Sequence, residues 1–309
     1  MNEAPKILVA GELFLDLILS GFDVWPGPGQ EAFAREFRRD IGGGAAITAS
    51  GLAKLGNACG VVGIVGADTG NWLVQQLNNN GVNTGALRFD SNEPTAFTVV
   101  VSMPHDRTFL TYPGANRGLL PLLLETAKAP SLNEIRHIHL AFAPALDIAA
   151  DLFQQLHARN CTLSFDIGWH EHWLKHSEAP AILRHVDIFF PNEIEARCIT
   201  GEDDPLSMLK EFEAAGLRRV AVKLGARGAA LLWDGEYIFA PAHPVMPVDT
   251  TGAGDCFDAG FLHAWLHGEP PEGCLKIANI CGALSTQAHG GIAGFPTLEQ
   301  LKLELSKGN

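Results

Sequence analysis

Between Val248 and Leu262 the chain reads V-D-T-T-G-A-G-D-C-F-D-A-G-F-L, with three glycines, two adjacent threonines and three aspartates. Apolar Phe257, Phe261, Leu262 and Trp265 follow at roughly helical spacing, so turn chemistry gives way to a helix near Gly254. A glycine-rich turn feeding a helix aims the backbone N–H groups of Gly252, Ala253 and Gly254 at one point. Together with the positive end of the helix dipole, these donors form an anion site. Asp255 stands in the first turn beside it. A carboxylate repels phosphate unless it serves the reaction. The reaction it suits is removal of a proton from a hydroxyl that attacks phosphorus.

Other stretches could complete such a site. Asp16 interrupts the apolar run Leu13 to Leu19 and needs a partner or a ligand. Gly42-Gly43-Gly44 lets the backbone come close to a ligand or to another helix. Asn192-Glu193-Ile194-Glu195 reads either as a helix cap with two first-turn carboxylates or as an oxygen cluster near a hydrated cation. Lys223-Leu224-Gly225-Ala226-Arg227-Gly228 follows a strand, and its glycines allow a nucleotide to lie along the backbone or simply make a turn. His137 with His139, and His170 with His172, invite a metal reading but lack further ligands. Cys256 reads as a small residue in a tight turn. There is no G-x-x-x-x-G-K-[ST] loop and no H-R-D or D-F-G set, which sets aside Walker-type ATPases and protein kinases.

With 309 residues, 47% of them apolar and 18% charged, the chain is long enough and apolar enough for a large core. A net charge of -13 argues against nucleic acid as a partner. The six cysteines form no C-x-x-C pair and read as reduced core residues of a cytoplasmic protein. The N-terminal segment reads as a first strand, and no apolar run is long enough for a membrane helix.

Positioning these residues takes an alternating α/β chain. Ile7 to Leu19 reads as one strand, Phe33 to Arg39 as a more polar one, and Ala45 to Leu55 as a helix rich in small residues. Gly60 to Val65 is a buried strand and Trp72 to Asn79 a helix, followed by a loop at Gly81 to Thr84. Thr95 to Ser102 and Thr108 to Tyr112 alternate as a hairpin around Pro104-His105-Asp106. From Ile135 onward strands and helices alternate to a last helix at Leu298 to Leu305.

D-T-T-G-A-G-D-C-F-D-A-G resembles the C-terminal signature of the PfkB carbohydrate kinase family, which has the ribokinase-like fold. G-G-G-A-A-I-T-A-S-G-L-A-K-L-G resembles its N-terminal signature, and Asn192-x-x-Glu195 its motif near Mg²⁺ and the triphosphate. The resemblance spans nearly the whole chain. It implies a doubly wound, mostly parallel sheet with helices on both faces. The main α/β domain would take residues 1–13, 42–90 and 117–309, with a discontinuous β lid at 14–41 and 91–116. It also implies an ATP- and Mg²⁺-dependent sugar kinase with Asp255 as base and an anion hole at Gly252, Ala253 and Gly254. Substrate contacts would come from Asp16, Gly42, Gly43 and Asn116. Nucleotide contacts would come from Asn192, Glu195, Lys223, Gly225, Gly228 and Asn279. Glu195 would hold Mg²⁺ through water, and Asp249 with Thr251 a monovalent cation such as K⁺. Open strand edges in the lid would suit a lid-to-lid homodimer.

Three substrate-side positions depart from the family pattern. Ile47 stands where the signature usually has Asn, Phe14 where a polar residue is common, and Gly168 ends Asp166-Ile167-Gly168 where relatives read D-x-N. The transfer side is intact and the acceptor side altered. The reading is a sugar kinase with a less polar or unusual acceptor. The alternatives are a nucleoside kinase of the same fold and a non-catalytic sugar- or nucleotide-binding regulator.

Overall fold

The computed structural model describes residues 6–103, 107–159 and 161–307. In chain order its strands are β1 (Ile7–Gly11), β2 (Phe14–Ser20), β3 (Glu36–Gly42), β4 (Cys59–Gly66), β5 (Asn83–Asp90), β6 (Phe97–Ser102), β7 (Arg107–Tyr112), β8 (His137–Ala141), β9 (Thr162–Phe165), β10 (Ile188–Phe189), β11 (Arg219–Lys223), β12 (Ala229–Trp233) and β13 (Glu236–Ala240). Among the described residues nine strands form one sheet, ordered β13-β12-β11-β10-β9-β8-β1-β4-β5, and four form a second, ordered β3-β2-β6-β7. Pairing in the large sheet is parallel from β5 to β11, and β12 and β13 close one edge antiparallel.

β1 and β4 are buried along their whole length, as strands covered on both faces must be. Successive side chains point to opposite faces, so each strand feeds two cores. Leu8, Ala10, Val62 and Ile64 pack with apolar residues of the helices Leu119–Thr126, Leu146–His157 and Pro205–Ala214. Ile7, Val9, Val61 and Val65 pack with residues of the helices Gly44–Lys54, Ala253–Leu266 and Pro271–Ser285. The parallel strands deliver Gly11, Ala141, Phe165, Phe189 and Lys223 to one rim of the sheet. Open α/β sheets bind ligands at that rim. Among the described residues no helix is long and apolar enough to cross a membrane.

Several expected elements differ from the observed ones. Ile7 to Leu19 is two strands in two sheets, separated at Glu12-Leu13. The buried Asn116 holds that joint: its Nδ2 donates to the Leu13 carbonyl at 3.1 Å and its Oδ1 accepts the Leu13 N–H at 3.3 Å. The loop expected at Gly81 to Thr84 runs into β5, an edge strand whose half-exposed residues lack a clear alternation. The polar strand expected at Phe33 to Arg39 lies at Glu36–Gly42. The helix Leu119–Thr126, which no expectation covered, contains Pro121. That proline lies in the first turn, where its missing N–H is tolerated. The turn expected at Pro104-His105-Asp106 lies outside the described residues.

Candidate active site

At the strand rim lies a cavity of about 510 Å³, bordered by Asp166, Asn192, Glu195, Lys223, Gly225 and the Gly252–Asp255 turn. Gly252 takes the left-handed φ of 70° that reverses the chain into the helix Ala253–Leu266. Asp255 sits in the first turn of that helix. Burial pushes its carboxyl up to about 7, helped by the Asp166 charge and opposed by Lys223. Of the three expected anion-hole donors, Ala253 N–H already donates to the Thr250 carbonyl at 3.3 Å, a long bond that closes the turn.

The three-glycine run has a physical cause at each position. A Cβ on Gly42 would collide with the Asp16 carboxylate, and one on Gly43 with the Glu12 carbonyl. One on Gly44 would stand 2.8 Å from Asp255 Oδ1. The run therefore brings three acidic residues close to one backbone. Asp16 opens onto a second groove of about 920 Å³ between the small sheet and the loop Val248–Gly252. Thr250 and Gly252 border both spaces. Burial and the neighbouring Asp40 push the Asp16 carboxyl up to about 7.

Beneath the turn, Lys223 Nζ lies 2.7 Å from Asp166 Oδ2 and 3.2 Å from Asp258 Oδ1. A Cβ on Gly254 would meet that ammonium at 3.4 Å. Asp258 is fully buried, and desolvation pushes its carboxyl well above its ordinary value against the pull of Lys223. Although burial opposes ionisation of Asp166, the Lys223 charge and a hydrogen bond from Asp258 hold its carboxyl at about 2. Lys223 is likewise held in its charged form by Asp166 and Asp258 despite its burial.

Asn192 and Glu195 form a capping box at the helix Glu193–Thr200. Asn192 Oδ1 accepts Glu195 N–H at 2.9 Å, and Glu195 Oε2 accepts Asn192 N–H at 2.8 Å. The cap and the cavity wall are thus the same residues. Burial, then the Asp166 charge, pushes Glu195 up to about 7. Asp166, Glu195 and Asp255 share the cavity wall with Lys223, an excess of carboxylate that suits a triphosphate accompanied by a hydrated divalent cation. Among the described residues no group of three His, Cys, Asp or Glu side chains converges to hold a metal ion directly.

Across Gly254 a third space of about 470 Å³ is bordered by Gly225, Gly228, Val245, Phe257 and Asn279. Asn279 is buried, not on the surface, and its Nδ2 donates to the carbonyls of Ala240 and Pro241. It therefore braces the segment that walls this space.

A family model described as "pfkB family carbohydrate kinase" matches residues 4–298. The chain belongs to the pfkB family of carbohydrate kinases. It is 32% identical over 305 residues to an ATP-dependent ribose-1-phosphate kinase of Halopiger xanaduensis, covering 98% of both chains. It is 29% identical over 328 residues to the aminoimidazole riboside kinase of Salmonella typhimurium, covering 99% of this chain and 97% of that one. The structure of Arabidopsis thaliana ribokinase with ribose and ATP superposes with a TM-score of 0.83 at 26% identity, covering 99% of each chain.

The remaining candidates of this pfkB chain fall in distinct places. Asn116 is taken up by Leu13, so it sets the strand joint and does not line the cavity. Of the three departures from the family pattern, Phe14 and Gly168 border the cavity. Ile47 instead packs behind the turn, where Cβ atoms on Gly252 and Gly291 would meet its Cδ1 at 2.8 and 2.6 Å. Asp249 is buried; its Oδ1 accepts Thr251 N–H at 2.8 Å and its Oδ2 accepts Gly290 N–H at 3.0 Å. His137 and His139 are buried and bonded to Thr162 and Ser164, a core arrangement. Cys256 is fully buried with its thiol pushed up by desolvation, so it stays protonated. Sequence reasoning missed Asp258, although its i+3 spacing from Asp255 puts both on one helix face. It also missed Glu12, Phe142 and Trp169 on the cavity wall, which no motif marks.

Proposed function

We propose that this protein transfers the γ-phosphoryl group of ATP to a hydroxyl of a small carbohydrate acceptor. The observation that carries the reading is Asp255, a buried carboxyl raised to about 7 at the N-terminus of a helix whose turn faces the cavity. The triphosphate lies along Asn192, Glu195 and the Gly225–Gly228 turn, with the nucleoside in the space braced by Asn279. The acceptor enters between Asp16, the Gly42–Gly44 run and the small sheet, which acts as a lid. Asp255 takes the proton of the attacking hydroxyl. The N–H groups of Gly252 and Gly254, with a share from Ala253, stabilise charge on the phosphoryl group in flight. Lys223 adds a positive charge beneath that turn. Glu195 would hold Mg²⁺ through water, and the ion would supply charge neutralisation of the triphosphate.

Asp255→Asn tests this. Phosphorylation followed by ADP release falls about 10²–10⁴-fold, the usual contribution of such a base, while calorimetry shows ATP binding largely kept. A variant retaining more than about a tenth of wild-type turnover overturns the role.

Two further parts belong to the same reading. Asp249 and Thr251 supply oxygens for a monovalent cation such as K⁺ beside the turn, and activity titrated with KCl against choline chloride tests it. Exposed Phe37 and Phe109 on the small sheet support a lid-to-lid homodimer, which light scattering checks. A second acceptor class, nucleosides, is favoured by Phe14, Phe142 and Trp169 on the cavity wall.

A further inference from the structure

The acceptor end of the cavity contains groups that phosphoryl transfer does not use. Glu12 leaves β1 at its carboxyl end and lines the cavity beside Phe14, Phe142, Trp169 and His170. Among the described residues its carboxylate makes no hydrogen bond or ion pair, in contrast to Asp166, Glu195 and Asp249. Burial alone raises this carboxyl above its usual range, with no cation nearby to bring it back. A half-buried carboxylate without a partner is unfavourable in the empty protein, and a ligand donor removes that penalty. The Glu12 carbonyl is fixed against Gly43, on the same backbone run that faces Asp255. Glu12 therefore stands on the wall that presents the acceptor to the base.

The surroundings narrow the kind of donor. Phe14 and Phe142 give the wall flat apolar surface, and Trp169 is 66% exposed at its rim. Burial lowers the His170 imidazole, so it stays neutral and does not compete as a cation for Glu12. A plain polyol offers hydroxyls and a small C–H face to the rings, but no N–H group. A flat nitrogen-bearing group offers both a face for the rings and an N–H for the carboxylate.

We propose that Glu12 is a specificity-determining residue that selects acceptors carrying a nitrogen donor, held against Phe14, Phe142 and Trp169. The donor is the amine of an amino sugar or the N–H group of a heterocycle on a riboside, and the aromatic wall favours the riboside. This rests on the kinase reading above.

The test uses full-length protein with Mg²⁺-ATP and acceptor pairs that differ by one nitrogen donor: adenosine against purine riboside, 2-aminopurine riboside against purine riboside, and glucosamine against glucose. The donor-bearing member of at least one pair is preferred about tenfold or more in kcat/KM, as a charge-assisted hydrogen bond warrants. Glu12→Gln collapses that ratio mainly through KM, at a melting temperature no lower than that of wild type. Trp169→Ala separates the two sources, because it weakens heterocyclic ribosides more than glucosamine. Equal kcat/KM within every pair, or a preference that survives in Glu12→Gln, overturns the proposal while leaving the kinase reading intact. If no acceptor is turned over, the kinase reading fails separately. Calorimetric binding of the same pairs then decides Glu12: no preference for the donor-bearing member overturns it.

Discussion

The catalytic turn at the transfer end of the cavity is one continuous stretch, Thr250 to Asp258, whereas the aromatic wall at the acceptor end is assembled from three separate ones. Glu12 and Phe14 come from the joint between β1 and β2, Phe142 from the end of β8, and Trp169 with His170 from the segment after β9. At the transfer end geometry follows from the backbone: a left-handed glycine, a helix start, and carboxylates three residues apart on one face. The buried Lys223 ammonium and the fully buried Asp258 lock it from beneath. At the acceptor end the side chains come from three separate parts of the chain, so one part can change without disturbing the others. One scaffold can thus keep a reaction while its acceptor changes.

The comparison breaks most visibly through stability. Lys223→Met leaves the carboxyl groups of Asp166 and Asp258 without their cation in a site where Lys223 is 11% exposed. Urea unfolding is expected to show a loss of about 3–5 kcal/mol, the usual penalty for orphaning a buried charge. Trp169→Ala, at the exposed rim, stays within about 0.5 kcal/mol of wild type. Similar losses for the two variants would mean that the acceptor wall is as tightly built as the transfer end.

A smaller effect concerns pH. Asp255 must be ionised to take a proton, and its carboxyl stands at about 7 in the free protein. The value of kcat/KM therefore falls as pH drops below about 7, approaching tenfold per unit. Glu195 and Asp16, also raised to about 7, can only steepen that fall. A profile flat from pH 8 to 5 would place the essential proton acceptor elsewhere.

The same contrast governs what the sequence reveals. Asp255, the glycine turn and the Asn192–Glu195 cap were legible because each depends on local spacing along one chain segment. The helices Gly44–Lys54 and Ala253–Leu266 were legible through their small and apolar residues. Glu12 was not, because a lone glutamate after a strand has no pattern, and its meaning comes from Phe142 and Trp169 far along the chain. Ile47 was misplaced for a related reason. Its position in a motif suggested a substrate contact, but its side chain packs against Gly252 and Gly291. The split of Ile7 to Leu19 into two sheets likewise depends on Asn116, 103 residues beyond Leu13.

The subtlest prediction joins the two ideas, because the base that serves the reaction should weaken the fold. Asp255 has a folded pKa of about 7 against an ordinary value of 3.8, so between these limits the folded state binds more protons than the unfolded one. Its contribution to stability is then most unfavourable above pH 7, where the buried carboxylate is ionised, and is relieved as pH falls towards 4. Asn at this position carries no charge at any pH. Asp255→Asn should therefore melt higher than wild type at pH 8, by a few degrees at roughly 2–4 °C per kcal/mol, with the gap narrowing below pH 7 and closing only towards pH 4. Taking the difference between the two proteins removes the opposing trend from His137, His139 and His263, whose lowered pKa values cause stability to fall with acid in both. A gap independent of pH would show that Asp255 is not strained by its burial. The transfer end would then be no less relaxed than the acceptor wall.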